Sequence, residues 1–210
     1  MKQFVMRVIQ VYEFIINNGL SSFLHEVFYR NRTAIVVEKN LIEFDADKGH
    51  PENCPVNVIE LRPEFLAENK FNYTVKNRYL KASQYLRKGY EGCAIIRDEK
   101  IVGDIWFTTP NKNAVNYCHP DCKWLQISCA EDQVYTFDMF LSPDERGNNL
   151  ASLLQTSALK ALSQKGFTKA YGYYWSDNIP ALWVHRMGKW RELKRLKVNR
   201  FLFFKQALPR

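Results

Sequence analysis

Phe140-Leu141-Ser142-Pro143-Asp144-Glu145-Arg146-Gly147-Asn148-Asn149-Leu150-Ala151 is the stretch on which the rest of the chain turns. Apolar strand residues run into Pro143, which cannot donate to a ladder, and a Gly/Asn turn then opens directly onto the helical periodicity Leu150, Leu153, Leu154, Ala158 and Leu162. Gly147 leaves room for a close ligand approach, and Asn148 and Asn149 tolerate unusual turn dihedrals. The first amides of the following helix have no acceptor within it, so they face any anion placed there, with Arg146 at the rim. An ordinary helix start has the same letters. The Gly-Lys-Ser/Thr ending of a P-loop and the Gly-x-Gly-x-x-Gly spacing of a dinucleotide fold are both absent.

Working outward, Gln133–Leu141 reads as a strand, Leu150–Gln164 as a helix and Thr168–Trp175 as the next strand. Upstream, Gly92–Arg97 and Ile101–Thr108 are joined by Asp98-Glu99-Lys100, the pattern of a hairpin. Val56–Leu61 is a strand, Phe65–Leu86 a helix interrupted near Phe71–Tyr73, and Thr109–Cys129 a polar, irregular stretch. Downstream, Ile179–Met187 is a shorter helix and Arg191–Lys205 is strand-like. The order implies an α/β fold, a mixed sheet flanked by helices.

The first 30 residues hold two apolar-periodic stretches separated by Asn17-Asn18-Gly19, read as a pair of amphipathic helices, followed by strand material in Thr33–Phe44. Asp45–Asn53 is a polar connector. The chain thus divides into an extension over residues 1–50 and a main domain over 51–210.

With 210 residues, 46% of them hydrophobic, one sizeable core is expected. Five cysteines are an odd number without framework spacing, which favours a reducing compartment. Without a signal-like or spanning segment, a cytoplasmic location is expected, or one at the inner face of a membrane. The net charge of +8 suits a phosphorylated cofactor, an anionic membrane or nucleic acid. No base-reading module accompanies it, so nucleic acid is not expected as a partner. Cys118-His119-Pro120-Asp121-Cys122 lacks a second ligand pair, and no metal is expected.

Taken in order, the hairpin Gly92–Thr108, strand Val134–Leu141, turn Arg146–Ala151, strand Phe167–Trp175, Asn178-Ile179-Pro180-Ala181 and Met187-Gly188-Lys189-Trp190 resemble the GCN5-related N-acetyltransferase (GNAT) superfamily over residues 56–205. The family turn is Arg/Gln-x-x-Gly-x-Gly/Ala; Arg146 and Ala151 match it, while Asn149 stands at the inner glycine. The resemblance implies the acyl-CoA N-acyltransferase fold, with a centrally splayed sheet. It further implies that Arg146, Gly147, Asn148, Asn149, Leu150 and Ala151 hold the coenzyme A pyrophosphate. Met139, Phe140 and Leu141 would offer backbone groups to the pantetheine arm, with Asn178 beside it.

The implied reaction is acyl transfer, acetyl or another short acyl group, from acyl-CoA to a primary amine of a small molecule such as an amino sugar. His185 falls at the family's proton-donating tyrosine when counted forward from Asn178, and Val184 does when counted back from Gly188. Asp138 and Asp104 are the candidate bases, with Glu131 behind them. Two other readings stay open. One is transfer from a long-chain acyl-CoA or acyl-carrier protein at a membrane surface, and the other a non-catalytic CoA-binding regulatory module. Packing on the chain's own domain or in a homodimer, or peripheral membrane contact, are the expected uses of the basic amino-terminal helices.

Overall fold

The computed structural model describes residues 2–42, 57–62, 64, 72–108, 119–201 and 204–209. Its elements are α1 (Lys2–Val27), β1 (Phe28–Asn40), β2 (Asn57–Leu61), α2 (Lys76–Arg87), β3 (Glu91–Arg97), β4 (Lys100–Thr108), α3 (Pro120–Leu125), β5 (Gln133–Leu141), α4 (Leu150–Gln164), β6 (Lys169–Trp175), α5 (Ile179–Met187), β7 (Arg191–Phe201) and β8 (Phe204–Pro209). They build one eight-stranded sheet in the order β2-β3-β4-β5-β6-β1-β7-β8. Every neighbouring pair is antiparallel except β5 and β6.

Alternation along the strands feeds two apolar layers. On β4, Trp106 belongs to the layer that holds Ala82 and Leu86 of α2 and Leu125 of α3, while Ile105 and Phe107 belong to the layer that holds Leu150, Leu154, Ala158 and Leu162 of α4. Covering both faces is what allows β4 to be buried from Ile101 to Thr108. The β3–β4 turn places Asp98 at φ 49° and Glu99 at φ 60°, the paired left-handed geometry whose twist matches a two-residue hairpin.

The residues set apart as an extension do not lie outside the sheet. β1 is an interior strand, antiparallel to β6 on one side and to β7 on the other, and Ala34, Ile35, Val36 and Val37 are all buried. A boundary at residue 50 would therefore cut through the fold, and the connector placed at Asp45–Asn53 falls outside the described residues. Ahead of β1, α1 is broken at Gly19 (φ 82°, ψ 156°), the glycine at which the sequence predicts a stop.

The helix expected over Phe65–Leu86 with a break near Phe71–Tyr73 has its later part as α2, from Lys76, with Tyr73 at the break bridged to Ile101; residues 65–71 fall outside the described residues. Two more expectations are revised. The polar stretch before Cys129 contains α3, capped by the His119 ring, whose Nδ1 accepts the Asp121 N–H at 3.2 Å. The strand-like tail is a hairpin of two strands.

Candidate functional site

The site grows from a mismatch between β4, β5 and β6. Beside β6, β5 is paired only at Gln133–Tyr135, opposite Lys169–Tyr171; beyond this the two parallel strands separate. Thr136 Oγ1 marks the fork by donating to the Tyr171 carbonyl at 3.0 Å. Beside β4, the register jumps from Trp106–Phe137 to Asp104–Phe140, so Ile105 alone faces Asp138 and Met139. That is a β-bulge, and its residue Asp138 has φ 52°. Past the bulge β5 is drawn close to β4: a methyl group on Gly103 would stand 2.4 Å from Leu141 Cδ2 and 3.0 Å from the Phe140 carbonyl. A side chain there would have to displace the Leu141 methyl and crowd the Phe140 carbonyl.

Met139, Phe140 and Leu141 thus form an edge of β5 that faces the fork without a strand partner from β6. This edge leads into the quoted turn. Ser142 N–H donates to the Val102 carbonyl at 2.8 Å, Pro143–Glu145 make a single 3-10 turn, and Arg97 Nη1 holds Glu145 Oε2 at 2.6 Å. Gly147 follows at φ 93°, where a Cβ would have nothing within 4 Å, and Asn149 starts α4 at φ 57°, ψ 9°. Asparagine is among the few residues that adopt the left-handed region readily, so the substitution at the inner glycine preserves the turn's backbone. Arg146, Gly147, Asn148 and Asn149 are all exposed, and the first amides of α4 point away from its carbonyls toward this open turn. Leu150 is buried in the core and anchors the helix; Ala151 is half-buried beside it.

The nominated carboxylates are committed elsewhere. Asp104 is wholly buried, and its oxygens accept from Tyr73 OH and from Arg78 Nε (2.9 Å) and Nη2. It has no face open to an amine, which corrects its reading as a base. Asp138 keeps 24% of its side chain exposed, but its Oδ2 accepts from Arg78 Nη1 at 2.9 Å, Tyr85 OH at 2.6 Å and Lys81 Nζ at 2.8 Å. Burial pushes this carboxyl up, yet Lys81 and Arg78, with the hydrogen bonds from Lys81 and Tyr85, hold it far below the usual carboxylate range. A carboxylate so stabilised is a poor proton acceptor. Arg78, buried on the apolar face of α2, carries this cluster and is not among the residues that the sequence nominates.

His185 lies on α5 over the part of β6 that has left β5, its ring stacked on Tyr174 (centroids 4.9 Å) and edge-on to Trp190 (5.2 Å). Its Nδ1 is 2.7 Å from the Ala181 carbonyl. A carbonyl only accepts, so Nδ1 carries the proton, and in the neutral ring Nε2 is left as an acceptor. Burial lowers the pKa, favouring that neutral form. The same holds in direction for His119, buried against Phe137 (4.2 Å). Asn178 caps α5, its Oδ1 accepting from Ala181 N at 3.1 Å. Among the described residues, no group of three or more His, Cys, Asp or Glu side chains could hold a metal ion, and no helix is long and apolar enough to cross a membrane.

These two histidines make a pH prediction. Each binds a proton more weakly when folded than at the unfolded value of about 6.5, so the unfolded chain takes up more protons and stability falls as pH drops through that value. Each can add at most about 1.4 kcal/mol per pH unit. The depressed Asp138 carboxyl acts in the same direction only nearer the carboxylate range. Urea midpoints at pH 7.5 and 5.5 should therefore differ less in His119→Gln and His185→Gln than in the parent; equal differences in all three would refute the assignment.

A mixed sheet forked between two parallel strands, with a β-bulge on one and an open turn and helix start at its end, defines the acyl-CoA N-acyltransferase class of fold. The chain has the fold of the GNAT superfamily. No family model matches the sequence, and no curated protein matches it. Solved structures do. The GCN5-related glucosamine N-acetyltransferase region of a fungal multi-domain GH3 beta-N-acetylglucosaminidase superposes with a TM-score of 0.57 at 11% identity, over 85% of this chain and 22% of that one. A tandem GNAT protein from the clavulanic acid biosynthesis pathway gives 0.54 at 12% identity, over 84% and 56%. A functionally unknown conserved protein from Staphylococcus epidermidis gives 0.51 at 8% identity, over 85% and 64%. The chain thus spans less than two thirds of the length of each.

Proposed function

We propose that this protein is a CoA-dependent N-acyltransferase that moves an acetyl or other short acyl group to a primary amine of a small molecule. One observation carries the reading: the unpartnered edge Met139–Leu141 leads directly into the open turn Arg146–Asn149 and the start of α4. The turn suits a pyrophosphate, and the edge suits the amide-bearing pantetheine arm. The glucosamine N-acetyltransferase region among the similar structures supports an amino sugar as acceptor class.

In this reaction the neutral amine attacks the thioester carbonyl, a C–N bond forms as the C–S bond breaks, and the thiolate takes a proton. A backbone amide at the β5 bulge stabilises the oxyanion. Neutral His185, with Nε2 as acceptor, relays the proton from amine to thiolate, in place of Asp104 and Asp138. His185→Gln is expected to lower turnover on the order of 10²-fold with CoA affinity nearly unchanged. Equal turnover across pH would remove His185 from the mechanism.

Calorimetric titration with CoA, followed by turnover of acetyl-CoA and longer acyl-CoAs against amino sugars, amino acids and polyamines, tests the whole. CoA binding with acetyl transfer is expected, and a folded protein that binds no CoA would sink the reading. Preference for long acyl chains would favour the membrane-surface version, which draws support from the exposed apolar residues Val8, Tyr12, Ile16, Leu20 and Leu24 of α1. Binding without any turnover would favour a regulatory module, a version that fits the full engagement of Asp104.

A further inference from the structure

The β5 bulge is clamped from α2. A non-glycine residue at positive φ is uncommon, although aspartate tolerates it better than most, and Asp138 sits there in the middle of a strand. Arg78 reaches it from α2 with two bonds, Nη2 to the Asp138 carbonyl at 2.8 Å and Nη1 to its Oδ2 at 2.9 Å. On its other side the same guanidinium grips Asp104 through Nε and Nη2. Asp104 pairs with Phe140, so one side chain spans β4 and β5 across the bulge. Its guanidinium carbon also lies over the Phe140 ring, 5.0 Å from the centroid. Lys81 and Tyr85, one and two turns along α2, close on the same Oδ2.

We propose that Arg78 is a positioning residue, which sets the direction of the Met139–Leu141 backbone so that this edge can grip the pantetheine arm of acyl-CoA. The proposal rests on the CoA reading above and deepens it. A lysine cannot replace the arginine here, because one ammonium has no planar fork with which to hold a carbonyl, a carboxylate on β5 and a carboxylate on β4 at once. The start of α4 lies beyond this clamp and is held instead by Arg97–Glu145 and by Leu150 in the core. Disturbing Arg78 therefore affects the arm and spares the pyrophosphate.

That separation gives the test. The full-length parent and Arg78→Lys are titrated with CoA and with adenosine 3′,5′-bisphosphate carrying a second 5′-phosphate, which retains the diphosphate and lacks the arm. Arg78→Lys is expected to weaken CoA at least 10-fold and the fragment less than 2-fold. A merely structural arginine would weaken both alike, and equal losses, or no loss for CoA, overturn the proposal. Tyr85→Phe and Lys81→Met, milder changes to the same clamp, should shift the CoA-to-fragment ratio in the same direction if Arg78→Lys does not fold; an unchanged ratio in both overturns it. A folded parent that binds neither compound fails the CoA reading itself. A parent that binds both equally keeps that reading for the diphosphate and refutes the grip on the arm.

Discussion

A chain beginning at residue 43 is expected not to fold, whereas one beginning at residue 28 should fold cooperatively. The first truncation removes β1, which lies between β6 and β7, and with it Ala34, Ile35, Val36, Val37 and Leu41, each no more than 3% exposed. At about 1.5–3 kcal/mol for each large apolar side chain, their loss is of the order of the 5–15 kcal/mol by which domains are stable. It also bares the unpaired edges of two strands. The second truncation removes α1, and along that helix Val8, Tyr12, Ile16, Leu20 and Leu24 are 45–64% exposed. Circular dichroism and urea titration would decide the matter. A cooperative, native-like transition in the shorter chain would show that β1 is dispensable to the sheet.

This contrast marks how far the sequence can be read. The α4 stripe and the β3–β4 hairpin are legible because their signals are local: a 3.6-residue repeat through Leu150, Leu154, Ala158 and Leu162, and the short charged turn Asp98-Glu99-Lys100 between apolar runs. The fork between β5 and β6 enters only through the resemblance, since nothing local records where a ladder stops. The position of β1 escapes because its partners lie far away in sequence, Val36 opposite Tyr173 and Lys194. The signal available is the unbroken run Ala34-Ile35-Val36-Val37, which suits a strand covered on both faces better than an edge.

Arg78 escapes for a related reason. Basic residues on a helix are commonly a solvated face, but Arg78 stands four and eight residues before Ala82 and Leu86, on the stripe that turns inward. A charge on such a stripe needs partners, and Asp104 and Asp138 are visible as acids in otherwise apolar strands. The sequence presents both halves of the cluster without the pairing that joins them, so the acids read as bases.

Gly147→Val is expected to weaken CoA on the order of 10²-fold while leaving a folded protein, and Asn149→Gly to change affinity by no more than about 2-fold, if the turn binds anions through its backbone. At φ 93° a β-branched residue is strained by about 1–3 kcal/mol, which a domain of ordinary stability survives. Its Cβ meets nothing within 4 Å, so the folded core is not pushed apart; the added side chain instead occupies the open side of the turn, where the diphosphate would approach. Position 149 answers oppositely because φ 57°, ψ 9° is open to both residues and the asparagine side chain makes no capping bond. Calorimetric titration of both variants, with thermal unfolding as the control for folding, reads the difference. Undiminished affinity in a folded Gly147→Val would mean that the diphosphate does not approach over Gly147, and a large loss in Asn149→Gly would mean that the asparagine side chain, rather than the backbone shape it permits, makes the contact.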